Sequence, residues 1–298
     1  MSKKSESDVA RFYGAEAADY HRMYQRENLE SLERYPANYF RLQILVRRLA
    51  ALSAKRVYEI GVGEGTPLVT MAKLGLEVAG CDIAEGMVNA ARKNFEAAGL
   101  AQDLIQWGDV EDAATLAGQL SGGKFDAVVA AGVLPHVRND RLMLETVKMC
   151  LKPGGAALIE FRNKLFSLFT FNRLTKEFIL DDLLRDVPAV VKATVEAELD
   201  RRCAVDQPAI RTARPGVDVG YDEILAKFHN PFELQETFRD SGFSDVQVHW
   251  YHYHPAPPMM ERAIGADFRR AAMRLEHEGS WRGMFLCSAG VVEARLPE

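Results

Sequence analysis

Three glycines at every second position, Gly61, Gly63 and Gly65, follow the apolar run Val57 to Ile60 and lead into Thr66 and Pro67. Glycine has no Cβ, so such a loop turns sharply and lets a ligand approach the backbone. Proline in the first helical turn gives up an amide that would be unpaired anyway. The remaining free amides of the loop and helix start make a site for a carboxylate or phosphate. Two acids sharpen this reading. Asp82 ends the next apolar run, 21 residues after Gly61, where a carboxylate can accept both hydroxyls of an adenosine ribose. Asp109 follows a third run, Leu104 to Trp107, and can accept an adenine amino proton. His136, after a fourth apolar run, is the leading candidate for a general base.

The elements that position these residues alternate between strand and helix. Val57–Ile60, Glu77–Cys81, Asp103–Trp107, Phe125–Ala131 and Gly155–Phe161 read as buried strands. Thr66 can cap a helix ending before Gly75, and a second helix carries Met87, Ala91, Phe95 and Ala98 on one stripe with Gly99 as its stop. This alternation predicts a doubly wound α/β fold with parallel strands and helices on both faces. Ligands of such sheets bind beyond the carboxyl ends of the strands, where Gly61, Asp82, Asp109, Gly132 to His136 and Phe161 to Asn163 all fall.

Five segments, Glu59 to Gly65, Cys81 to Met87, Gly108 to Val110, Phe125 to His136 and Leu151 to Gly155, come in the order and spacing of one family. Over roughly residues 55–160 the chain resembles the class I S-adenosylmethionine-dependent methyltransferases, of the small-molecule type. The resemblance implies a Rossmann-like sheet, mostly parallel with an antiparallel last strand, and S-adenosyl-L-methionine as cofactor with S-adenosyl-L-homocysteine as product. It implies cofactor-binding roles for Tyr20, Glu59, Gly61, Gly63, Gly65, Asp82, Ile83, Met87, Asp109, Val110 and Gly132. Glu59 stands where the family more often has Asp and would help hold the amino group of the methionine moiety. Met87 lies either against the adenine or only in the helix stripe. A dinucleotide fingerprint would want Gly or Ala at position 66, which is Thr66. Many relatives carry a His pair at the end of the fourth strand; here Pro135 replaces the first, so His136 is expected to act as base or only to line the site.

The rest of the chain is expected to cover this core. Residues 1–54 read as N-terminal helices in which Tyr13 or Tyr20 touches a ligand or simply packs. The core takes residues 55–161 and 222–298, and residues 162–221 form a helical lid over the acceptor, with a membrane-facing or partner-facing surface as the rival reading and a plain packing insertion as the third. Within it, a run from Thr175 to Leu184 and another from Pro188 through Cys203 read as helices. Arg162, Asn163, His229, Tyr251 and His252 are the expected substrate contacts. Asn230-Pro-Phe-Glu233 starts a capped helix. A further helix is expected with Met260, Ile264, Phe268, Ala271 and Leu275 as its stripe, and Met284 to Leu296 as the closing strand. His252 and His254 lack a third ligand at a metal-site spacing, so no metal is expected.

With 298 residues, a net charge of −5 and a pI near 5.9, the chain is not electrostatically suited to nucleic acid. It also lacks the Asn-Pro-Pro-Tyr-type signature of nucleic-acid and protein amide methylation. Four scattered cysteines without a Cys-x-x-Cys pair, and no apolar run approaching the ~20 residues of a membrane span, suit a cytoplasmic protein. The expected activity is methyl transfer to a hydroxyl or amine of a small molecule (a sugar, polyol or secondary metabolite). The alternatives are a cofactor-binding protein without transfer, or a cyclase or decarboxylase on the same fold. A homodimer is left open.

Overall fold

Every strand that carries a motif residue lies in one sheet of seven, ordered β3-β2-β1-β4-β5-β7-β6, mostly parallel with one antiparallel end. The computed structural model describes residues 8–14, 24, 35–203, 219–220, 223–276 and 281–298. The chain divides into two compact units, Met1–Phe161 with Arg211–His249 and Val291–Glu298, and Arg162–Ile210 with Trp250–Gly290.

The first unit opens with a helical segment over residues 8–14, then α1 (Ala37–Ala51), β1 (Arg56–Ile60), α2 (Thr66–Lys73), β2 (Glu77–Asp82), α3 (Glu85–Ala97), β3 (Ile105–Trp107), β4 (Phe125–Ala130), α4 (Asp140–Cys150) and β5 (Leu151–Arg162). Parallel pairing sets Glu59 opposite both Gly80 and Val129, and Asp82 opposite Trp107, so the carboxyl ends of β1 to β4 come level. The central strands are apolar throughout because both faces are covered. Val57, Tyr58, Ala127, Val128, Val129 and Ala130 are fully buried, as are Leu68, Met71, Ala91 and Phe95 of the helices against them. Arg48 of α1 donates two hydrogen bonds to the buried Glu293, at 2.5 and 2.8 Å, tying the N-terminal helix to the last strand.

Several boundaries differ from the sequence reading for local reasons. Gly65, at φ 88°, occupies the cap position before α2, while the amide and hydroxyl of Thr66 both donate to Glu64. Residues Gln102–Leu104 form a 3₁₀ turn, so β3 starts at Ile105. Cβ-free Gly154 and Gly155 are absorbed into a longer β5.

In the second unit, α5 (Arg173–Glu177) passes into a π-helical turn, Phe178–Leu183, and α6 spans Ala189–Arg202. In the first unit, α7 (Pro231–Asp240) is capped by Asn230, which accepts the Phe232 amide at 3.1 Å. β6 (Ser244–Tyr253) and β7 (Cys287–Arg295) complete the sheet, β7 starting only at Cys287 because Gly283–Leu286 forms a helical turn. The helix expected across Met260 to Leu275 is broken. Gly265 at φ 70° separates Glu261–Ile264 from α8 (Ala266–Leu275), so Phe268 is buried while Met260 and Ile264 are exposed. Glycine's freedom at positive φ overrode the helical spacing around it.

Candidate active site

The carboxyl ends of β1 to β4 surround one cavity within the first unit, enclosing about 860 Å³ including its mouth. Gly61, Gly63, Asp82, Ile83, Met87, Asp109, Val110, Gly132 and His136 line it, together with Val9, Tyr13, Arg41, Glu111 and Val133. The loop after β1 explains two of the glycines. A Cβ on Gly61 would stand 2.3 Å from Val133, so only glycine lets the β1 and β4 loops meet. Gly63 sits at φ 56° with nothing within 4 Å of where its Cβ would be, so a side chain there would enter open space at the cavity wall. Gly65 does not line the cavity; it lets α2 approach Ala91 of α3.

The acids form a graded set. Asp82 is buried and accepts the Ala84 and Gly63 amides, each at 2.9 Å, which fixes both its own rotamer and the glycine loop. Burial nonetheless pushes its carboxyl up to about 6. Asp109 accepts the Glu111 amide at 2.8 Å, and burial raises it too. Glu111 accepts the amides of Arg138 and Asn139, which joins the β3 loop to the β4 loop. Glu59 lies behind the wall, 1% exposed, with Oε2 lacking a hydrogen-bond partner among the described residues; burial pushes it up to about 8.

Arg41, from α1, also lines the cavity. It donates to Tyr24 at 3.0 Å and lies 3.4 Å from the buried Glu160, which accepts the Gly132 amide. The opposite wall carries a chain of side-chain contacts. Tyr13 Oη is 2.8 Å from His136 Nε2, and His136 Nδ1 is 2.5 Å from the Leu225 carbonyl. A carbonyl only accepts, so Nδ1 carries the proton, and in the neutral ring Nε2 accepts from the Tyr13 hydroxyl.

Of the remaining expected contacts, Tyr20 falls outside the described residues. His229 is in the first unit, 3.2 Å from Asp140, and does not line the cavity. Arg162, Asn163, Tyr251 and His252 belong to the second unit. There Asn163 is buried, its amide donating to the Met284 and Cys287 carbonyls and its Oδ1 accepting the Leu165 amide, so its polar atoms serve the fold. His252, at φ 62°, pairs with Ser288 Oγ at 2.9 Å, and burial drives its pKa down. Tyr251 is buried. Among the described residues, no group of three or more His, Cys, Asp or Glu side chains is arranged to hold a metal ion.

Arg41 and Glu111 had no signal in the sequence beyond helical spacing or position after a strand, because what brings them to the cavity is the pairing of distant segments. The desolvated Glu59, with one oxygen that has no hydrogen-bond partner among the described residues, and the crowd of acids suit a cationic ligand, and the open space at Gly63 suits one that lies along the loop. An adenosyl sulfonium amino acid fits both. Residues 58–157 match the methyltransferase domain family. The chain is 31% identical over 201 residues to the ubiquinone biosynthesis O-methyltransferase of Aromatoleum aromaticum, covering 67% of this chain and 78% of that one. It is 29% identical over 185 residues to the enzyme of that name from Pseudomonas aeruginosa, covering 62% and 75%. Its fold is similar to that of DhpI in complex with SAH, with a TM-score of 0.54 at 16% identity, over 100% of this chain and 99% of that one. The chain belongs to the class I S-adenosylmethionine-dependent methyltransferases, and S-adenosylmethionine is its cofactor.

Proposed function

We propose that this enzyme methylates a hydroxyl group of a small molecule, with Tyr13 and His136 removing the proton. The observation that carries this reading is the Tyr13–His136–Leu225 chain at the cavity wall. When bound, the cofactor would supply a sulfonium methyl for in-line transfer, with S-adenosylhomocysteine leaving as the neutral thioether. A neutral hydroxyl is a poor nucleophile and must shed its proton as the O–C bond forms. Tyr13 lines the cavity, and its hydroxyl proton points at the Nε2 lone pair of His136. As the acceptor oxygen gains the methyl, its proton passes to the Tyr13 oxygen while the Tyr13 proton passes to Nε2. The ring then becomes an imidazolium, still donating to Leu225 through Nδ1.

On the other side, Asp82 would hold the ribose hydroxyls, Asp109 the adenine amino group and Glu59 the methionine ammonium, with Ile83, Met87 and Val110 as apolar lining. The relatives named as O-methyltransferases support a hydroxyl acceptor over an amine.

The test is transfer of an isotope-labelled methyl from S-adenosylmethionine into a panel of small hydroxyl and amine compounds. The product should be a methyl ether. His136→Ala is expected to lower turnover by about 10²-fold and Tyr13→Phe by about tenfold or more, with cofactor affinity within about twofold. Transfer to amines alone, with Tyr13→Phe at full rate, would overturn the reading.

A further inference from the structure

His136 is useful as a base only if Nε2, the nitrogen facing Tyr13, carries the lone pair. That depends on what holds Nδ1, and the holder is a backbone carbonyl from a segment without regular structure, residues 225–228. Left to itself such a segment would fray, and an imidazole released from it would be free to protonate at Nε2 instead.

Four contacts pin the segment. The Lys227 amide donates to the Pro135 carbonyl at 2.7 Å, next to His136 in the chain. The Lys227 ammonium pairs with Asp140, about a quarter exposed on both sides. His229 Nε2 lies 3.2 Å from the other oxygen of Asp140. Ile224 and Leu225 form a small apolar cluster with Val9 and Val219, against which Phe12 and Tyr13 pack. Asp140 is therefore the hub: it opens α4 behind the Asn139 cap, pairs with Lys227 of the segment that carries the Leu225 carbonyl, and lies 3.2 Å from His229 just after that segment. A carboxylate in the first turn of a helix is itself favourably placed.

We propose that Asp140, which does not line the cavity, is a positioning residue for methyl transfer: through Lys227 it fixes the Leu225 carbonyl, and the carbonyl fixes the Nδ1–H tautomer of His136. The same clasp holds the apolar seat of the 8–14 segment, so donor and acceptor of the Tyr13–His136 bond are set by one anchor. The inference rests on His136 as base for its catalytic meaning, but the tautomer is a property of the enzyme alone. It is read without acceptor or turnover.

The experiment is nitrogen NMR of the protein labelled with ¹⁵N-histidine, the His136 signals being assigned by their loss in His136→Asn. The wild type should show Nδ1 protonated and Nε2 as an unprotonated acceptor. In Asp140→Asn and in Lys227→Met, the two signals should move together toward a mixture with the Nε2–H form, while calorimetric affinity for S-adenosylmethionine stays within about twofold. A charge-swapped pair, Asp140→Lys with Lys227→Asp, should recover the wild-type pattern at least in part. An unchanged Nδ1–H pattern in both folded single variants refutes the anchoring role. If the tautomer moves as expected but methyl transfer to hydroxyls is never observed, the anchor stands and the assigned reaction falls.

Discussion

On the β1–β2 side of the cavity the contacts are short in sequence and run through backbone. Asp82 reaches back 19 residues to the Gly63 amide and forward two to Ala84, and Asp109 takes the amide two residues on. On the β4 side His136 is held by Tyr13, 123 residues earlier, and by a carbonyl 89 residues later. The first wall forms as soon as neighbouring parallel strands pair. The second exists only when the N-terminal segment, the β4 loop and residues 223–229 have all arrived. The difference assigns different sensitivities: the first wall should fail by losing ligand, the second by losing turnover while the ligand still binds.

The largest effect is expected at Gly63. Gly63→Val places a β-branched side chain at φ 56° and sends it into the space along the loop. S-adenosylmethionine affinity by calorimetry should fall more than about 100-fold (about 2.7 kcal/mol or more). Gly75→Val is the control, because Gly75 also sits at positive φ, 90°, with open space around it, but away from the cavity. It carries the same kind of backbone strain and should keep its affinity. Equal loss in both variants would mean that strain, not occupancy of the cavity, was measured.

Asp82→Ala should come next. It removes a charged acceptor and also releases the Gly63 amide, so the cost in cofactor affinity should be about 1–3 kcal/mol, or about 5- to 150-fold. Asp82→Asn keeps an acceptor and should fall between wild type and Ala. An unchanged dissociation constant in a folded Asp82→Ala breaks the assignment of this wall to the cofactor.

The same division explains what was legible in the sequence. Strand ends announce themselves through continuous apolar runs, and a turn that must adopt positive φ announces itself through glycine, so Gly61, Gly63, Asp82 and Asp109 could be placed at one end of the sheet from spacing alone. Nothing local marks Arg41 among Arg47 and Arg48, nor Tyr13 among the aromatics before Pro36, because their neighbours are set by chain closure over long distances. Asn163 shows the same limit: its position past a strand end is the same whether its amide serves a ligand or two carbonyls of its own unit, to which it donates. At Gly265 the helical stripe is legible on both sides, while the positive φ that breaks it leaves no mark in the spacing.

The smallest effect expected is a proton, and it separates the two walls most cleanly. Glu59 is buried with an unpartnered oxygen and makes no ion pair among the described residues. Among the described residues, the charged and titratable groups around it are Arg41 from α1, Tyr24, Glu64 from the glycine loop and Asp82 from β2. Burial is the largest influence and raises it; Arg41 opposes this, and Glu64 and Asp82 add to it, leaving the carboxyl near 8. At pH 7 it is therefore mostly protonated in the free enzyme, whereas a cationic ligand nearby favours the carboxylate. Binding should then release protons at pH 7, and Glu59's share of the affinity should rise with pH toward about 8 and fall above it, where the ligand's amino group loses its proton. The stability sign is consistent. An unfolded Glu gives up its proton near pH 4.3, so between about 4.3 and 8 the native state holds more protons and Glu59's contribution to stability falls as pH rises. The ligand should relieve that loss, raising the melting temperature more at pH 8 than at pH 6. The cofactor's own amino group titrates near 7.7–8.0, so the comparison is with Glu59→Gln, which keeps that titration and removes the carboxyl. Calorimetry at pH 7 in buffers of different ionisation enthalpy counts the protons. A wild type that releases no more than Glu59→Gln would show that Glu59 does not answer to the ligand. His136→Ala, on the other wall, should leave the count unchanged.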